Sequence, residues 1–171
     1  AAVPFRDPVD LDPSEALSIQ KNWKATLKGR KVGILFAEGS DKAAIDQLRA
    51  QIEAAGGTAF TIAPKVGGVK LKGGKMAADG QLAGSPSVLF DAVALILSKD
   101  QATKLSRDAA ALGFVMDAYA HLKAIGHDKG AQPLLDRAGI EPDEGIGTLD
   151  ALPDLAIQRY WDREQTIRDL A

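Results

Sequence analysis

"KVGILFAEGSDKAAIDQLRAQIEAAGGTAFTIA", residues 31–63, decides the fold. It opens on "KVGILF" (31–36), an apolar run without polar alternation, the pattern of a strand buried on both faces of a parallel sheet. The apolar period then lengthens. Ile45, Leu48, Ile52 and Ala55 recur at helical spacing. Ser40 or Asp41 stands where an N-cap belongs, worth about 1 kcal/mol, and Gly56 or Gly57 supplies a left-handed stop. "TAFTIA" (58–63) is a second strand. Strand, helix and strand in this order make a right-handed βαβ unit.

The alternation resumes downstream. Glycine is dense over 64–87, where Asp79-Gly80 is a favoured two-residue turn and predicts a small β-hairpin excursion. "FDAVALIL" (90–97) is a buried strand. "SRDAAALGFVMDAYAHLK" (106–123) is a helix, with Ala109, Leu112, Val115, Met116, Tyr119 and Leu122 broadly on one face. "KAIG" (123–126) is a short strand, and "AQPLLDRAG" (131–139) is a helix stopped by Gly139. "EGIGTL" (144–149) is a last strand, and 153–170 reads as a C-terminal helix with Leu155, Trp161 and Ile167 among its apolar points. Alternating strands and helices demand a sheet covered on both faces. The fold class is α/β: a flavodoxin-like three-layer α/β/α sandwich with a mostly parallel sheet.

Residues 1–28 read differently, as a linker or arm. Pro4, Pro8 and Pro13 interrupt regular structure, while Phe5, Leu11, Leu17 and Trp23 are spaced apolar points suited to lying along a surface. "SEALSIQKNW" (14–23) is a candidate helical turn. The remaining 29–171 form one domain.

Composition narrows the function. Twenty-one basic and 23 acidic residues leave a net charge of −2, with no long-range field to draw nucleic acid. The densest basic run, "KVGGVKLKGGK" (65–75), reads as a solvated hairpin. The chain has no cysteine, which excludes thiolate nucleophiles and thiolate metal sites. No apolar run reaches membrane-spanning length, and the acidic, proline-containing start is not a signal peptide, so cytoplasmic placement is expected.

In open α/β sheets ligands bind beyond the carboxyl ends of the strands. The loops there are "AEGSDK" (37–42), "SKDQ" (98–101) and "GHDKG" (126–130). The first lacks the hydroxyl-rich phosphate loop of a flavin site, and the third strand ends Leu97-Ser98-Lys99 without a phosphoacceptor aspartate. "GGVKLKGGKM" (67–76) is one residue too long for a phosphate loop and places Met76 where a metal-binding hydroxyl belongs. Of the two histidines, His121 ends a helix, where a cation is favoured. His127 sits at a strand end, where Asp128 or Glu38 could orient it, but a general base needs a nucleophile or substrate proton within reach. Asp128 is read as the cap of the helix beginning near Gly130. No His, Asp and Glu cluster has metal-ligand spacing.

"LKGRKVGILFAEGSD" (27–41), "DGQLAGSPSVLFDAVALIL" (79–97) and "FVMDAYAHLKAIG" (114–126) together resemble the C-terminal domain of large-subunit heme catalases, over roughly residues 15–171. The resemblance implies a domain akin to class I glutamine amidotransferases and intracellular cysteine proteases. In their active members a cysteine sits at the strand-to-helix elbow, often followed by histidine, and a glutamate follows the first strand. Here the cysteine position falls at Asp128 and its neighbour at Lys129, the glutamate near Ala44, and the Gly-Gly after the third strand at Ser98-Lys99. The elbow His127-Asp128-Lys129 is therefore expected to be degenerate, with no catalytic, cofactor or metal residue in this chain.

In that family heme and peroxide chemistry belong to a preceding, larger domain. The resemblance thus implies a non-catalytic accessory domain that stabilises a parent catalase and shapes access to its heme channel. Its partners would be the parent domain and the other subunits of a homotetramer. A binding or chaperone-like holdase module for unfolded clients is the alternative, and a residual hydrolase using His127 and Asp128 is a third reading.

Overall fold

A computed structural model describes residues 11–163. The apolar run expected as the first strand is β1 (Lys31–Phe36), and the periodic segment after it is α1 (Lys42–Ala54). Asp41 is the cap, its carboxylate accepting from the Ala43 and Ala44 amides at 2.9 and 3.4 Å. Ser40 points inward instead. Its hydroxyl donates to the Ile96 carbonyl at 2.6 Å and accepts from the Ala37 amide at 2.9 Å. Gly56, at φ +81°, makes the stop before β2 (Thr58–Ala63).

The chain continues through β3 (Val69–Leu71), β4 (Gly74–Met76), β5 (Gly80–Gln81), β6 (Ala92–Ile96), α2 (Lys99–Leu105), α3 (Ala109–Ala120), β7 (Ile125–His127), α4 (Gln132–Arg137), β8 (Ile146–Thr148) and α5 (Leu152–Leu155). Six strands form one sheet in the order β5-β2-β1-β6-β7-β8, every pairing parallel. On one face α2, α3 and α4 cover Leu35, Val93, Leu95 and Ile125 with Leu105, Phe114, Val115 and Leu134. On the other, Ile45, Leu48 and Ile52 of α1 and Leu152 of α5 cover Val32, Ile34, Phe36 and Ile96. The three-layer sandwich is as expected.

Several local expectations need correction. The excursion is a hairpin, but its turn is Lys72-Gly73, between antiparallel β3 and β4. Asp79 is not a turn residue: its carboxylate accepts from the Thr61 amide at 2.8 Å and hydroxyl at 2.7 Å, and this pairing lays β5 along the edge of β2. Burial pushes that carboxyl up, yet the Thr61 bonds with the Arg49 and Lys31 charges hold it below its ordinary value. Residues 99–101, read as part of a loop, open the helix α2, with the Ser98 hydroxyl accepting from the Gln101 amide at 3.4 Å.

On α3 the buried side carries Ala111, Phe114, Val115, Ala118 and Tyr119, and Met116 faces out. The expected C-terminal helix is interrupted: α5 ends at Leu155, residues 156–162 are not helical, Arg163 turns inward, and residues 164–170, including Ile167, lie outside the described part. Phe5, Pro4 and Pro8 of the arm do so too. Within the described arm, a 3-10 turn spans Glu15–Leu17, Leu11 and Leu17 stand exposed, and Trp23 alone of its expected apolar points docks. The Trp23 indole donates to the Ile157 carbonyl at 2.8 Å and meets Trp161 edge-on at 5.9 Å.

Candidate functional site

At the carboxyl ends of the strands the chain turns sharply from β7 into α4. The turn is His127-Asp128-Lys129-Gly130, and a 3-10 turn over Lys129–Ala131 leads into the helix. Asp128 organises it. Its amide donates to the Leu95 carbonyl at 3.1 Å, extending the ladder with β6. One carboxylate oxygen accepts from the Leu97 amide at 3.0 Å, and the other accepts from the Ala131 amide at 2.9 Å. Burial pushes this carboxyl above its ordinary value, against backbone hydrogen bonds and the neighbouring His127, which pull it down. The capping role expected of Asp128 is therefore met, with a cross-link to β6 in addition.

His127 is half-buried, and its Nδ1 lies 3.0 Å from the Asp128 main-chain oxygen. Neither the Asp128 carboxylate nor Glu38 is its recorded partner, contrary to the orientation expected. Lys129 projects into solvent. Ala44 stands in the first turn of α1, behind the Asp41 cap. Ser98 donates to the Glu38 carbonyl at 3.3 Å, tying the loop after β1 to the loop after β6. The structure thus joins Asp128 to the 97–99 loop and that loop to Glu38 through the backbone. It does not assemble His127, Asp128 and Glu38 into an acid–base relay.

Beside these loops a crevice of about 450 Å³ is lined by Glu38, Lys65, Lys70, Gln101 and Lys104. Among the described residues no group of three or more His, Cys, Asp or Glu could hold a metal ion.

Sequence reasoning missed two buried charges. Arg163, 4% exposed, forms a two-pronged pair with Asp143 at 2.6 and 2.8 Å and donates to the carbonyls of Tyr119 and Lys123. Its guanidinium lies 4.3 Å from the Tyr119 ring. Lys123, also 4% exposed, donates to the Ser87 carbonyl at 2.7 Å. Burial, with Arg159 nearby, lowers its pKa to about 8, against the pull of Asp91 and Asp117. No local pattern marks either residue, because each partner lies 20 or more positions away.

Residues 28–164 match the family described as the C-terminal domain found in long catalases. The chain is 45% identical over 178 residues to Catalase C of Rhizobium meliloti (strain 1021), across 98% of this chain and 25% of that protein. It is 30% identical over 172 residues to Catalase HPII of Pseudomonas aeruginosa, across 95% and 24%. It therefore spans about a quarter of the length of these curated relatives. Among solved structures it is similar to a DJ-1 superfamily protein from Salmonella typhimurium, with TM-score 0.63 and 20% identity, covering 83% of this chain and 96% of the other. A ThiJ/PfpI domain protein from Brachyspira murdochii gives TM-score 0.62 at 12% identity, covering 84% and 99%. At these identities the structures speak for the fold. Among the described residues no helix is long and apolar enough to cross a membrane.

Proposed function

Because the chain belongs to the family of C-terminal domains found in long catalases, we propose that it is a non-catalytic accessory domain. It stabilises a preceding heme-bearing catalase domain and shapes access to that domain's heme channel. The functional unit is residues 29–171, with 1–28 as the linker. The parent is a cytoplasmic homotetramer that decomposes hydrogen peroxide at heme.

The state of the elbow carries this reading. Where active relatives of the fold place a nucleophile, Asp128 commits both carboxylate oxygens to backbone amides. A group so held is a structural fastener, and the adjoining His127 has no hydroxyl or thiol in its hydrogen-bonding company. Neither tyrosine stands as an open heme ligand. The Tyr160 hydroxyl donates to the Leu155 carbonyl at 2.9 Å, and Tyr119 is covered by the Arg163 guanidinium. An axial ligand needs a free donor over an apolar slot.

The test has two arms. In the first, the isolated chain and its Asp128→Asn and His127→Ala variants are assayed on amides, esters and glyoxal-type carbonyls. Background rates throughout are expected, and turnover that both variants abolish would overturn the reading. In the second, residues 29–171 are deleted from the long protein. Initial peroxide turnover should survive at low temperature while the half-life on heating shortens by about tenfold or more. Unchanged thermal inactivation would count against the accessory role.

The holdase alternative draws on the exposed Leu11, Leu17 and Ile19. It requires the isolated chain to suppress client aggregation at stoichiometric ratios, beyond an inert protein of equal charge.

A further inference from the structure

We propose that the outward face of α3, together with the 3-10 turn Ser87–Leu89, is the surface on which the preceding part of the long chain docks. The proposal rests on the reading above that such a part exists.

The first observation is compositional. α3, "AAALGFVMDAYA", is apolar nearly all round, with Asp117 its one charged residue. Such helices are normally covered on every side. Among the described residues α3 is covered on one. Its outward side carries Ala109, Gly113, Met116 and Ala120, and Met116 is 50% exposed. The Ser87–Leu89 turn packs beside α3 and presents Val88 and Leu89, 60% and 57% exposed. Three large apolar side chains thus stand in water on two neighbouring elements.

The second observation concerns Gly113. Glycine inside a helix is unfavourable by about 1 kcal/mol relative to alanine. A Cβ at this position would meet no atom within 4 Å. Nothing in the packing of the described residues requires glycine there, whereas close approach by a surface outside them would.

The third observation identifies the occupant. The chain spans a quarter of its relatives and matches the C-terminal domain of long catalases, so in those relatives the larger part of the chain lies before the matched segment. The arm that leads back to that part joins beside this face. Trp23 lies 5.8 Å from the Arg159 guanidinium, which donates to the His121 carbonyl at the end of α3 and pairs with Asp91 just before β6. Leu11, Leu17 and Ile19 on the arm are exposed as well, so six of the seven exposed large hydrophobics among the described residues belong to the arm or to this face. The partner surface is accordingly apolar and closely fitted, in the manner of permanent interfaces, with a basic group at its rim opposite Asp117.

Hydrogen exchange is compared between the isolated chain and the long protein, with Gly113→Gln and Met116→Lys as variants and Ala50→Lys on α1 as control. In the long protein, amides of 87–89 and 109–120 should exchange about tenfold or more slowly than in the isolated chain, with α1 unchanged. Both variants should remove that difference and hasten proteolysis of the 1–28 arm, while the control does neither. Each variant alone should melt no lower than about 2 °C below the unaltered domain, since both side chains face open space.

Slowed exchange on α1 instead, or variants that leave the long protein unchanged, would overturn the docking face while leaving the accessory role intact. So would an isolated chain whose dimer Gly113→Gln dissolves, since the occupant would then be a second copy. A natural protein without a preceding domain would sink both readings.

Discussion

A single carboxylate, that of Asp128, ties the end of β7 to the end of β6 and starts the next helix. Asp128→Ala should lower the unfolding free energy by about 2 kcal/mol, because the Leu97 and Ala131 amides lose their acceptors in a partly buried place. Asp128→Asn keeps one acceptor oxygen and should lose about half as much. Urea denaturation distinguishes the three proteins, and equal midpoints would contradict the fastening role.

Lys123 gives a pH-dependent counterpart. Its folded pKa is near 8, against 10.5 for a free lysine. Below about pH 8 the amine is charged in both states, and the full cost of burying it is present. Between 8 and 10.5 the folded protein releases the proton while the unfolded chain keeps it, so stability climbs by up to about 1.4 kcal/mol per pH unit. Lys123→Met lacks that climb. The unfolding free energy of wild type minus variant should therefore rise from pH 7.5 to 10, and a flat difference would refute the assignment.

The elbow is equally exacting as an element. A Cβ at Gly130 would stand 1.8 Å from the Leu97 carbonyl oxygen, so the turn fits only because its third connecting residue has no side chain. Gly130→Ala must displace backbone, and a loss of about 3 kcal/mol is expected in denaturant titration. Gly113→Ala, in open space within α3, should instead gain about 1 kcal/mol in the isolated chain.

These elements also mark how far the sequence could be read. The βαβ unit, the left-handed stop at Gly56 and the Asp128 cap were legible because periodicity and capping are local. The hairpin's place was legible too, but its turn was not: Asp79-Gly80 has turn chemistry, and Thr61, far away in sequence, recruits Asp79 to the sheet edge instead. α2 was hidden because it buries only Ala102 and Leu105. The break after α5 was hidden because the apolar spacing there continues, and the Arg163–Asp143 pair beyond it joins residues 20 positions apart. The same limit applies to the candidate site. The lack of cysteine or serine at the elbow can be read from residue types, but that the His127 ring meets the Asp128 main-chain oxygen rather than a carboxylate oxygen needs coordinates.

At the scale of the whole molecule, the Arg163–Asp143 pair fastens the end of the described chain to the loop before β8 and to the carbonyls of Tyr119 and Lys123. Removing Arg163 leaves the buried Tyr119 and Lys123 carbonyls without their donor. Arg163→Ala should cost about 3 kcal/mol and loosen the segment carrying Trp161, read as a change in tryptophan emission at temperatures where the sheet still gives its native circular dichroism. Unaltered emission and an unaltered melt would show that the segment is held by other contacts. Trp161 lies edge-on to Trp23, so the first and last docked parts of the described chain meet at one pole. Such a meeting makes the order in which the chain is threaded separable from the shape it forms. A circular permutant, with a short flexible bridge from residue 163 to residue 22 and new termini opened at Lys72-Gly73, should reach the same fold and the same far-ultraviolet spectrum. The architecture would then be a closed loop of chain that can be cut elsewhere without changing the arrangement of its sheet.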